Sequence, residues 1–200
     1  MKKTIIILLL AFVCGSAVVS AAEPASEAVA RMSSAVKALG GYEVSFTVRA
    51  GDYSGDGRYA VSGDDYYLTL GDVDVFGTGG TRYEVNRALR EITIDTVDTS
   101  SRNILVNPAG GLDFISDEFS AETVSQGDGR VSVRLTPTDG GNAGTIVVTM
   151  DTSTWLPVKL VYELNGESVA IDISGMAAVS GGVAGFDQSA YEGYEIIDFR

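Results

Sequence analysis

Histidine is absent from this 200-residue sequence, and cysteine occurs once, at Cys14. The lack of imidazole excludes Ser-His-Asp and Cys-His catalysis and histidine acid–base chemistry, and with one thiol it excludes zinc sites of the usual donors. A lone cysteine closes no disulfide within the chain, so the fold must be held by its core. Mechanisms that use only carboxylates, lysine or tyrosine survive. Positive charge is also scarce, with 14 Lys and Arg against 27 Asp and Glu. Such a surface repels phosphate backbones, which argues against nucleic acid as a partner. It suits a protein that must not adhere to anionic membranes, one steered to basic partners, or simple solubility. The one long apolar run, residues 4–13, is shorter than the ~20 residues that span a bilayer.

That run belongs to a predicted export signal. Lys2 and Lys3 form its charged start, residues 4–13 its apolar core, and Ser20-Ala21-Ala22 a small-residue cleavage site. Cleavage after Ala22 leaves one domain, residues 23–200. A lipoprotein reading would place a lipid on Cys14, but Val13 precedes it where such sites prefer a small residue.

Residues 24–39 carry Ala25, Ala28, Val29, Met32, Ala35, Val36 and Leu39 at helical spacing, opened by Pro24 and ended by Gly40-Gly41. From Tyr42 the period becomes two. Val44, Phe46 and Val48, then Tyr59 and Val61, then Leu68, alternate with polar residues. Val73 and Val75, Tyr83 and Val85, and Ile92 and Ile94 continue an antiparallel meander turned at Gly77 to Gly80. Residues 100–126 interrupt the strands, with Asn107-Pro108 able to start a short helix and Leu112, Phe114, Ile115 and Phe119 set among polar residues. Such a segment is either a buried cross-connection or a mobile lid. Four more strands follow, with Asn165-Gly166 as a hairpin signal, Trp155 as an expected sheet-edge anchor and residues 175–185 as a glycine-rich loop; Ile196 to Phe199 forms a last strand.

The acidic pairs, such as Asp64-Asp65, Asp72 with Asp74, and Asp117-Glu118, lack the ligand spacing of a calcium loop and read as structural or solvated. The run Gly77 to Thr81 lacks the lysine of a phosphate loop and lies between strands, so it reads as a turn. The expectation is therefore a non-enzyme with no catalytic residue, metal or cofactor.

The order of these pieces resembles the LolA-like periplasmic carriers of outer-membrane lipoproteins. The resemblance rests on an amphipathic helix ending in Gly-Gly, the strand Tyr42 to Phe46, Tyr66-Tyr67-Leu68, the Gly79 to Tyr83 hairpin, Glu91 to Ile94, Asn107-Pro108 and the ending Ile196 to Arg200. It implies a mainly β fold, an incomplete antiparallel barrel of about eleven strands covered by the N-terminal helix and a short mid-chain lid. It further implies a monomeric, periplasmic carrier that shelters lipoprotein acyl chains between an inner-membrane release complex and an outer-membrane acceptor. The expected cavity wall is Val44, Phe46, Val48, Tyr59, Val61, Leu68, Tyr83, Val85, Ile92 and Ile94, with Met32, Val36, Leu112, Phe114 and Ile115 on the lid side. The alternative use of the same fold is a sensor that reads lipid or envelope protein and regulates a membrane partner. The family's lid-locking arginine near the end of the second strand has no counterpart around Ser62-Gly63.

Overall fold

The computed structural model describes residues 24–110, 112, 118–138, 144–164, 166–179 and 181–200. The signal reading with Cys14, and the lid residues Phe114 and Ile115, lie outside the described residues. Helix α1 (Ala25–Ala38) forms where the periodicity predicts it, with Glu27 in the first turn, Lys37 in the last and an ion pair from Arg31 to Glu27 at 2.7 Å. Gly40 follows at φ 74°, a conformation that ends a helix without strain only for glycine. The buried face of α1 is Ala28, Val29, Met32 and Val36.

Twelve strands follow in one sheet. They are β1 (Gly41–Ala50), β2 (Tyr53–Ser62), β3 (Asp65–Leu70), β4 (Val73–Thr78), β5 (Thr81–Asn86), β6 (Glu91–Thr96), β7 (Phe119–Gly127), β8 (Arg130–Pro137), β9 (Thr145–Asp151), β10 (Pro157–Leu164), β11 (Glu167–Ala178) and β12 (Glu195–Asp198). Their spatial order is β12-β6-β5-β4-β3-β2-β1-β11-β10-β9-β8-β7, antiparallel throughout except for β12, which runs parallel to β6. The edges β12 and β7 do not pair with each other, so the barrel is incomplete.

Three expectations are corrected in detail. The strand missing from the sequence reading is β7: its inward residues before the bulge are Phe119, Ala121 and Thr123, the bulge between Thr123 and Ser125 breaks the alternation, and it lies at an edge. β11 runs on to Ala178, into the stretch expected to be loop. Trp155 anchors no edge, because β9 and β10 are both interior strands. It sits in the turn between them at φ 58°, with the Arg31 guanidinium 5.0 Å from its ring centre.

The strand order dictates where the connections run. Strands β1 to β6 step away from the centre of the sheet, and β7 to β11 return to it from the opposite edge. After β6, therefore, the chain must traverse the whole sheet to begin β7. Ten strand spacings amount to about 48 Å along a flat sheet, within reach of the connecting residues 97–118 at ~3.3 Å each. This connection lies on the face covered by α1, where Ile104 and Leu112 join the main core. The chain after β11 makes the other long traverse, back to β6, and lays Phe186, Tyr191 and Tyr194 on the outer face.

Candidate ligand-binding site

Residues paired across strands point to the same side of a sheet. Val44 pairs with Tyr59, Tyr59 with Leu68, and Leu68 with Val75, so these four form one row on the inner face. A second row runs Tyr42, Val61, Tyr66, Gly77, Arg82. The expected wall residues Val44, Phe46, Val48, Tyr59, Val61 and Leu68 thus come together, buried, with Met32, Val36 and Leu112 from the lid side.

Tyr83, Val85, Ile92 and Ile94 do not join them. Val75 pairs with Glu84, whereas Phe76 pairs with Tyr83 and Asp74 with Val85, so the apolar residues of β5 and β6 face outward. There they enclose a second core with Phe76, Tyr67, Phe186, Tyr191 and Tyr194. Phe186 stacks on Tyr83 at 4.3 Å between ring centres and on Tyr191 at 5.8 Å. The neighbouring Asp74 takes the structural one of the two roles expected for the acidic pairs: it is buried, accepts from Tyr67 Oη at 3.1 Å and pairs with Arg87. The inner face of β5 and β6 is consequently polar, with Arg82, Glu84, Thr93 and Asp95.

Tyrosine hydroxyls tie the crossing segment to the inner face. Tyr162 of β10 donates its hydroxyl proton to the Arg102 carbonyl at 3.3 Å and accepts from the Ile104 N–H at 3.2 Å. Tyr42 donates to the Pro108 carbonyl at 3.5 Å, a long contact. Asn107, also buried, folds the segment on itself by donating to the Ser101 carbonyl and accepting from the Gly110 N–H, so that it turns where the sequence suggests a short helix. Burial pushes the Tyr162 phenol well above its ordinary pKa, and it does the same for Tyr59. Both stay neutral at ordinary pH.

Two cavities open at the same rim. One, of about 160 Å³, lies among Val36 and Lys37 of α1, Tyr42, Val61, Ala109 and Leu112. The other, of about 350 Å³, is bounded by Asp64, Gly80, Val97, Asn107, Ala109 and Gly110. Ala109 lines both. Elsewhere on the inner face Met32, Tyr59 and Met150 are fully buried.

Sequence reasoning passes over the polar groups of this site. The hydroxyls of Tyr59 and Tyr66 and Nε of Arg82 are buried with no hydrogen-bond partner among the described residues. Burial raises the Tyr66 pKa, and the Arg82 guanidinium beside it opposes the rise.

No protein-family model matches the chain, and no curated protein does. Among solved structures similar to it is an uncharacterized conserved protein from Thermus thermophilus, 9% identical over 86% of this chain and 97% of the other, with a TM-score of 0.51. A putative outer membrane lipoprotein-sorting protein domain from Vibrio parahaemolyticus is 9% identical over 84% of this chain and 96% of its own, with a TM-score of 0.45. A LolA superfamily protein from Nitrosomonas europaea is 9% identical over 85% and 98%, with a TM-score of 0.41. An open antiparallel sheet bearing the N-terminal helix and a crossing connection on its inner face is the mainly β, incomplete-barrel architecture that the sequence resemblance implies.

Proposed function

We propose that this chain is an exported carrier that takes the acyl chains of lipoproteins between its sheet and its crossing segment, for passage from an inner-membrane donor to an outer-membrane acceptor. The observation that carries the reading is the pair of cavities meeting at Ala109. The smaller is below the ~300 Å³ at which ligand pockets begin, but lifting the stretch around Ala109, residues 107–110, joins the two over an apolar floor that includes Tyr42 and Val61. Sheltering a ~16-carbon chain is worth up to ~12 kcal/mol at ~0.8 kcal/mol per methylene. Part of that gain offsets the opening of a segment held by the hydrogen bonds of Tyr42 and Tyr162. A carrier that spends no nucleotide takes its direction from a receiver of higher affinity.

The test is to purify the protein, analyse co-purifying lipid and titrate an acylated peptide against a bound apolar dye. The reading predicts displacement by the acylated peptide and none by the same peptide without its acyl chain. Equal behaviour of the two peptides refutes it. Stable one-to-one capture of a regulator, without lipid transfer between vesicles, would favour a sensor.

A further inference from the structure

We propose that the Tyr66 hydroxyl and Arg82 Nε together receive an oxygen atom at the polar end of an acyl ligand, either a carboxylate oxygen or an ester carbonyl. This rests on the acyl-binding reading and says which way round the ligand lies. Both atoms are buried without a partner among the described residues. An Nε–H only donates, and a phenol donates readily, so the missing partner is an acceptor. A buried polar group left without one costs about 1–3 kcal/mol, and two such groups in one row of the inner face are better explained by a bond completed on binding.

The local build points them the same way. Gly77 separates Tyr66 from Arg82 in the row, and a Cβ there would overlap the Tyr66 ring, so glycine alone lets that ring lie across β4 toward Arg82. Glu84 Oε2 engages Nη1 of Arg82 at 2.7 Å, which leaves Nε as the unpartnered donor and offsets the guanidinium charge. A site so balanced accepts a neutral carbonyl as well as an anion. Val61, which pairs with Tyr66, lines the smaller cavity, and the row below holds Tyr59, Leu68 and Val75 for the hydrocarbon.

The experiment titrates dodecanoate, methyl dodecanoate and dodecane against a bound apolar dye in wild type, Tyr66→Phe and Arg82→Lys. Loss of one bond predicts about tenfold weaker binding of the oxygen-bearing ligands in both variants and unchanged binding of dodecane. A loss for dodecanoate alone assigns the carboxylate; a loss for both assigns the carbonyl oxygen. Tyr66→Phe, which removes no bond in the empty protein, is expected to melt at or above the wild-type temperature. Equal losses for all three ligands, no losses, or a lower melting temperature of Tyr66→Phe would overturn the proposal and leave acyl binding standing. If none of the three ligands binds wild type, the acyl-binding reading falls and this one with it.

Discussion

Replacing Tyr162 by phenylalanine separates the stability of the closed protein from its capacity to bind. The ring stays, so the core of β10 is kept, but the Ile104 N–H and the Arg102 carbonyl both lose the phenol. At 3.2 and 3.3 Å these are bonds of the longer kind, and together they contribute roughly 1–2 kcal/mol. The Ile104 amide is buried, so it finds no water in exchange while the segment stays down. The closed state alone therefore bears the loss. If ligand enters only when the segment lifts, apparent affinity scales with the open fraction, and a shift of about 1–2 kcal/mol tightens binding of an acylated peptide about 5- to 30-fold. Hydrogen exchange at Ile104 should quicken by a comparable factor, and the melting temperature should fall. The reasoning is refuted if exchange quickens while affinity stays the same or weakens, because the segment would then open without being the gate.

The outer face should behave as a separate unit. Phe186→Ala removes stacking on Tyr83 and Tyr191 and an edge contact with Phe76, so chemical denaturation should show a loss of about 2 kcal/mol, with acyl binding unchanged. Gly77→Ala should destabilise by about 1–3 kcal/mol, since Tyr66 has to move, and should impair binding of oxygen-bearing ligands as well. At the C-terminus, the Arg200 guanidinium and the Arg200 N–H hold the Asp198 carboxyl down to about 2. Its contribution to stability is thus present above its unfolded value near 3.8 and is lost as pH falls through about 2. Carboxyl titration by NMR should show Arg200→Gln moving Asp198 back up.

Much of the architecture can be read from periodicity, because alternation identifies a half-buried strand wherever it sits. The helix, the first six strands and the last five are visible in this way, whereas β7, with its bulge and few large inward residues, is not. What alternation does not state is which face is apolar, and for that reason it leaves four outward residues on the wrong side. The signal is nevertheless present in the turn. Gly79-Gly80 is a two-residue hairpin loop pairing Thr78 with Thr81, which necessarily sets odd-numbered residues of β4 against even-numbered residues of β5. Val75 must then oppose Glu84, and Tyr83 must lie with Phe76. Counting residues across that turn moves Tyr83 and Val85 to the outer face without any coordinates, and Ile94 and Ile92, which pair with them, go to the same face.

That change of face is what divides the labour of the molecule. Since β1 and β11 lie side by side in the middle, the two meanders end at opposite edges, and long connections are unavoidable. The crossing segment lies on the inner face with cavities on either side of it. The return to β12 lies on the outer face among packed aromatic rings, and β12 adds backbone bonds to β6. An element bordered by voids opens at lower cost than one anchored by interlocking rings. Motion is therefore expected on the side where the Tyr59 and Tyr66 hydroxyls and Arg82 Nε lie without a partner among the described residues, and rigidity on the side that fixes β5 and β6 in register. Ligand binding should accordingly change hydrogen exchange at residues 102–110 and leave that of β12 and residues 186–194 as it was; the reverse pattern would assign the binding face to the outer side of the sheet.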